Sequence, residues 1–198
     1  MSQRTGVLLL VSGPSGSGKT TLCRKLAQEG EAHYSISCTT RSAREGEVHA
    51  KDYYFLSRKE FKSDVAAGSF LEHAEVHGNS YGTLKSEVLE FLQRGKDVVM
   101  DIDVQGAAQV RTCQDPLIVA SVVDLFVMLD REEELRDRLS GRGTDSDEVI
   151  ALRLHNAMEE MSHADSYTYR LLSKSRNEDY RRFKSLLTTE RMRVSRLV

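Results

Sequence analysis

The chain of 198 residues is 39% hydrophobic and 29% charged, with a formal net charge of −2 at pH 7. That length favours one core over two independent domains, and the composition is globular rather than disordered or collagen-like. The charge balance leaves no global basic field that would hold DNA or RNA by counterion release, so an anionic ligand must be gripped locally.

Cys23, Cys38 and Cys113 are odd in number and widely spaced, which argues against a disulfide framework. Residues 1–6 lack the cationic and apolar pattern of a secretory leader, and the cytoplasm is the expected compartment. The longest apolar stretch, 117–129, has 13 residues and carries Asp124, short of the roughly 18 to 20 needed to span a bilayer. No membrane or nucleic-acid partner is expected.

In chain order, residues 6–11 form a short continuous apolar run, the pattern of a buried strand in a parallel sheet. Glycines follow at once, and 19–28 then places Leu22 and Leu26 four apart, which predicts an amphipathic helix. Residues 34–40 read as extended and 52–56 as a short aromatic strand; 57–67 reads as a helix capped by Ser57 with Glu60 three residues on. Residues 78–82 have turn chemistry, 85–93 read as a helix closed by Gly95, and 97–102 as a second buried strand running into acidic residues. The apolar stretch 117–129 is expected to supply one or two further strands. Residues 131–139 read as a solvated helix broken by Gly141-Arg142-Gly143, and 145–161 as another with Asp145 as its N-cap. Residues 180–198 form a basic helical tail, either a solvated helix or a subunit contact. Strands alternating with helices predict an α/β fold built on a parallel sheet.

Gly13-Pro14-Ser15-Gly16-Ser17-Gly18-Lys19-Thr20 satisfies G-x-x-x-x-G-K-[ST] at every fixed position, between the apolar run and the amphipathic helix. Glycines let backbone N–H groups turn inward around phosphate oxygens, and the helix N-terminus adds partial positive charge. The candidate ATP-binding residues are therefore Gly13, Ser15, Gly16, Ser17, Gly18, Lys19, Thr20 and Thr21, with Lys19 bridging the β- and γ-phosphates and Thr20 ligating Mg²⁺. A bare glycine-rich turn gives no reason for Lys-Thr in that register. Such a loop identifies only a bound nucleoside triphosphate, so the phosphoryl acceptor must be read elsewhere.

Residues 37–47 (SCTTRSAREGE) closely resemble the guanylate kinase segment S-x-T-T-R-x-x-R-x-G-E. The resemblance continues through 46–55 (GEVHAKDYYF), 70–75 (FLEHAE), 78–83 (GNSYGT), 100–106 (MDIDVQG) and 138–143 (RLSGRG), followed by Arg153. It implies a P-loop NTPase-type parallel sheet flanked by helices, with a small mixed GMP-binding subdomain and a helical lid. The single domain 1–198 would divide into a core of about 1–34, 86–130 and 165–198, an acceptor subdomain of about 35–85 and a lid of about 131–164.

The same resemblance implies that Arg41 and Arg44, with the hydroxyls of Tyr53 and Tyr81, hold the GMP phosphate; planar guanidinium forks match phosphate oxygens. Glu72, Ser37, Thr83 and Asp103 match the guanine-reading positions. A carboxylate can accept from guanine N1 and N2 while a hydroxyl serves O6, and the same carboxylate facing adenine would be left unpaired. Asp101, also expected among the GMP-binding residues, ends the strand 98–101, where P-loop enzymes often place an acidic residue near the Mg²⁺ shell, although an aspartate there is also a turn former. Arg138, Arg142 and Arg153 match lid arginines that offset charge on the transferring group. Together Lys19, Arg44, Arg138, Arg142 and Arg153 form the expected catalytic set. Mg²⁺ would enter with ATP; ATP and GMP are the expected substrates, with dGMP left open.

The chain departs from the family in two places. It has Val127-Met128-Leu129-Asp130-Arg131 where a Pro-Pro-Ser turn is common, and Leu171-Leu172-Ser173-Lys174-Ser175 where an Asn-Asp pair commonly lies beside adenine. His73 and His77, four apart around Glu75, do not match the spacing of a zinc helix.

Overall fold

The computed structural model describes residues 4–76, 78–129, 135 and 147–197, with the backbone alone for 147–153. The elements are β1 (Leu8–Ser12), α1 (Lys19–Gln28), β2 (His33–Tyr34), β3 (Cys38–Thr39), β4 (Tyr54–Phe55), α2 (Arg58–Ala66), β5 (Phe70–Val76), β6 (Asn79–Leu84), α3 (Lys85–Gln93) and β7 (Val98–Asp101). They continue as α4 (Val104–Arg111), α5 (Pro116–Ser121), β8 (Val122–Leu129), α6 (Asp147–Ser162), β9 (Tyr169–Ser173) and α7 (Arg176–Arg191). Five strands form a parallel sheet in the order β2-β7-β1-β8-β9. The others form a mixed sheet, β4-β3-β6-β5. The chain is thus α/β, with a helix-flanked parallel sheet as the sequence predicts.

The period-two geometry of β1 sets the core. Leu9 and Val11 pack with Leu22 and Leu26 of α1 and Phe183 and Leu187 of α7. Leu8 and Leu10 pack on the other face with Val88 and Leu92 of α3, Val110 of α4 and Ile118 of α5. Both faces are covered, which is why the strand reads as a continuous apolar run rather than an alternating one.

The run 117–129 is a correction to the sequence reading: only 122–129 is strand, and its first part belongs to α5. Asp115 caps that helix by accepting from the Leu117 and Ile118 N–H groups at 2.9 and 3.2 Å, and Pro116 occupies its first turn. Gly78 turns with φ 74°, yet Asn79 already begins β6, so most of 78–82 is strand rather than turn. The capping box of α2 forms as expected, Ser57 and Glu60 exchanging bonds of 2.8 and 3.2 Å. The final helix starts at Arg176, earlier than the basic run suggests, because Ser175 caps it.

His77, the helix expected over 131–139 apart from the helical Leu135, the Gly141–Gly143 break, Asp145, Arg138 and Arg142 lie outside the described residues, as does the side chain of Arg153. No helix among the described residues is long and apolar enough to cross a membrane. All three cysteines are free.

Candidate active site

The phosphate-binding motif lies between β1 and α1, at the carboxyl edge of the parallel sheet. Gly13 has φ 140°, and a Cβ there would stand 2.0 Å from the Val127 carbonyl oxygen, so only glycine lets the loop pass β8. The Ser17 N–H donates to the Pro14 carbonyl at 3.1 Å, closing the loop on itself. Lys19 Nζ reaches back across it to the carbonyls of Gly13 and Pro14, the latter at 3.1 Å. A cleft of about 790 Å³ beside the loop is lined by Ser15 through Leu22 on one wall and by Lys174, Arg176 and Asn177 on the other.

β7 pairs in parallel with β1, in the register Val11 to Asp101, which carries Asp101 to the same sheet edge. There the Thr20 hydroxyl donates to Asp101 Oδ2, joining residues 81 positions apart. A hydroxyl and a carboxylate in contact at the mouth of a phosphate loop are hard oxygen donors, suited to Mg²⁺ that takes its other ligands from phosphate and water. Among the described residues no group of three or more His, Cys, Asp or Glu side chains could hold a metal by itself. The two oxygens therefore fit a cation carried in on a nucleotide.

A second cavity, of about 310 Å³, is lined by Ser37, Tyr53, Glu72, Tyr81, Asp101 and Asp103 among others. Six of the predicted acceptor residues are thus brought together from β5, β6, β7 and the loops around β3 and β4. Thr83 joins them from β6: its Oγ1 lies 3.2 Å from Ser37 Oγ, and its bonds to Glu72 favour the ionised carboxylate. Glu72 is 7% exposed. Burial pushes its carboxyl above the ordinary value, the Thr83 hydrogen bonds oppose this, and the Asp103 charge adds to it. Gly106 makes the packing feasible, since a Cβ there would lie 2.9 Å from Glu72 Oε2. Asp103 also caps α4, accepting from the Gly106 N–H at 2.7 Å through Oδ1.

Tyr53 and Tyr81 meet edge to face with ring centroids 6.1 Å apart, and the Arg41 guanidinium sits 5.5 Å from the centroid of Tyr53. Arg41 is further held by Glu47 at 2.9 and 3.0 Å. Arg44 is exposed at the edge of this loop, anchored by its backbone N–H on Glu47 at 2.8 Å.

Between the two cavities lies a third space of about 320 Å³, bordered by Lys19, Thr20, Asp101 and Asp103. Three residues given no role by the sequence reading appear around these spaces. Glu160 of α6 lines the intermediate space; burial raises its carboxyl above the ordinary value, the Lys19 charge opposes this and the Asp103 charge adds to it. Its spacing of seven from Arg153, two turns of one helix, was the available signal. Arg24 of α1 pairs with Asp52 at 3.3 Å, linking the phosphate-loop helix to the small sheet's side. On the donor side the departing segment 171–175 has its own order: Ser173 Oγ and the Lys174 N–H donate to the two oxygens of Asp179 at 2.8 and 2.9 Å.

The guanylate kinase family profile matches residues 5–190. The chain is 44% identical to a guanylate kinase of Novosphingobium aromaticivorans over 98% of its own length and 86% of that protein's. It is 38% identical to one of Clostridium tetani over 97% and 90% of the two chains. The crystal structure of guanylate kinase from Anaplasma phagocytophilum superposes with a TM-score of 0.80 at 33% identity, covering all of this chain and 92% of that one. With a profile spanning nearly the whole chain and relatives of this identity over almost its full length, the chain belongs to the guanylate kinase family.

Proposed function

We propose that this chain transfers the γ-phosphoryl group of ATP to GMP, giving ADP and GDP by direct in-line transfer with no covalent enzyme intermediate. The observation that carries the reading is spatial: a phosphate loop and a carboxylate-lined base pocket open onto one intervening space bordered by Lys19, Thr20, Asp101 and Asp103. A donor γ-phosphate and an acceptor phosphate held at its two ends would face each other there.

In this reading the residues 13–21 cradle the ATP phosphates. Lys19 gives up the Gly13 and Pro14 carbonyls to bridge the β- and γ-oxygens. Arg41, Arg44, Tyr53 and Tyr81 hold the acceptor phosphate, and Glu72, Ser37, Thr83 and Asp103 read guanine. Thr20 and Asp101 would hold Mg²⁺, which when bound draws negative charge from the phosphate oxygens. The acceptor oxygen is already ionised, so positioning and electrostatics carry the rate and no nucleophilic side chain is required. The mixed sheet serves as acceptor subdomain within 35–85, and 131–164 serves as a lid whose Arg138, Arg142 and Arg153 neutralise the transferring group and keep water out. The reaction is assigned to the cytoplasm. The test is to mix the protein with Mg-ATP and either GMP or AMP and measure ADP: release with GMP alone is expected. Release with AMP at equal rate, or with neither, would overturn the assignment.

A further inference from the structure

Glu160 sits near the C-terminal end of α6, and its Oε2 is buried with no hydrogen-bond partner among the described residues. A buried carboxylate oxygen without a donor costs a sizeable part of its lost hydration, so a residue placed this way against a substrate space calls for a donor from the substrate. The donor-nucleotide cleft beside the phosphate loop does not include Glu160, and neither does the base pocket around Glu72. It borders the space between them, whose other charged lining residues are Lys19, Arg24, Asp52, Asp101 and Asp103; of these, Lys19 and Asp103 act on the Glu160 charge.

The chemistry of GMP narrows what Glu160 can meet there. Ionised phosphate oxygens offer lone pairs and no protons, so they cannot satisfy a carboxylate. The N1 and N2 donors of guanine are directed at Glu72 in the proposed pose. With the second N2 hydrogen left to Asp103 in that pose, the hydroxyls of the ribose, which joins the base to the phosphate and must cross the intermediate space, are the donors of the acceptor nucleotide that remain. We infer that Glu160 is a specificity-determining residue for the acceptor sugar, its carboxylate accepting a hydrogen bond from a ribose hydroxyl of GMP. The contact favours the ribonucleotide over a deoxy analogue, because the analogue leaves the carboxylate buried and unpaired.

The inference rests on the proposed GMP reaction, and the experiment separates the two. Initial rates are measured with GMP, 2′-deoxy-GMP and 3′-deoxy-GMP for the parent protein and for Glu160→Gln and Glu160→Ala. The parent is expected to use GMP better than at least one deoxy analogue. A hydrogen bond to a charged group corresponds to roughly a ten- to hundredfold effect, so Glu160→Ala should lower kcat/KM for GMP by about that factor. The discriminated analogue should change little, and its gap from GMP should close. Glu160→Gln, which keeps shape and a weaker acceptor, should fall between. An unaltered preference in both variants overturns the assignment of Glu160, as does a change confined to KM for ATP or to the Mg²⁺ requirement. A parent protein that does not phosphorylate GMP at all would instead overturn the reaction on which the inference stands.

Discussion

The guanidinium of Arg41 donates through one nitrogen to both carboxylate oxygens of Glu47, at 2.9 and 3.0 Å, while Glu47 Oε2 also accepts the backbone N–H of Arg44 at 2.8 Å. One carboxylate therefore fixes both positions proposed to hold the GMP phosphate. The pairing with Arg41 keeps the Glu47 carboxyl below the ordinary value, so it is ionised at neutral pH. Glu47→Gln should loosen the loop without emptying a core position. The expected result is a rise in KM for GMP of about three- to tenfold with kcat within about twofold, the signature of lost substrate positioning. Steady-state kinetics check this; a fall in melting temperature with KM for GMP unchanged would make Glu47 purely structural.

Lys19→Met should leave a folded protein with phosphoryl transfer reduced by roughly a hundredfold or more, since a phosphate-bridging charge is lost from a preorganised site. Folding should survive because, among the described residues, Nζ hydrogen-bonds only to two carbonyls of the same loop, Gly13 and Pro14, and forms no salt bridge. Near-normal turnover of the purified variant would remove Lys19 from the mechanism.

Asp97 is a stability element rather than a site residue. It accepts from Arg4 at 2.6 and 2.9 Å, from the Val7 N–H at 2.8 Å and from Arg191 at 2.7 Å, tying both chain ends to the start of β7. Removing one partner of a buried charge network typically costs about 3 to 5 kcal/mol. Asp97→Ala should show that loss as a lower denaturation midpoint, with KM for GMP and ATP little changed in the folded fraction. A midpoint equal to the parent's would mean that the network is dispensable.

What the sequence could disclose depended on whether local pattern had one structural solution. The passage from β1 to α1 did: an apolar run, then glycines, then leucines four apart fits few arrangements other than strand, loop and helix. Residues 117–129 did not, because a short apolar run suits a buried helix as well as a strand. The arbiter was Asp115-Pro116, a cap and first-turn proline outside the run. Asn79 through Gly82 looked like a turn by composition, yet cross-strand pairing with β5, such as Glu75 opposite Ser80, makes it strand. At the site, the phosphate loop was legible from its spacing, whereas the acceptor residues came only through resemblance, since the chain must fold to bring Ser37 beside Thr83. For Glu160 the sequence offered only the seven-residue spacing from Arg153, and it is the packing of α6 against the site that separates it from the exposed Glu159 beside it.

Glu72 joins recognition to stability, and the two should respond in opposite directions to one substitution. Its carboxyl is raised above the ordinary value of 4.5, first by burial and further by the Asp103 charge, against the opposing bonds from Thr83. A folded-state pKa raised in this way contributes stability that is fully present below the unfolded value and is lost as pH rises through the folded value. At neutral pH the ionised Glu72 is therefore a cost to the empty protein. Glu72→Gln removes that cost, so its melting temperature should exceed the parent's at pH 7, and the difference should shrink as pH falls toward and below 4.5. Activity should move the other way. Losing charge-assisted bonds to guanine N1 and N2 in a buried site should lower kcat/KM for GMP by about 2 to 4 kcal/mol, with KM for ATP little changed. Discrimination against AMP should shrink, since no unpaired carboxylate then faces adenine. Thermal melts across pH and rates with both acceptors test these together. A variant that keeps the full GMP preference would show that another residue reads the base, and a stability gap that does not vary with pH would show that the Glu72 charge is not its source.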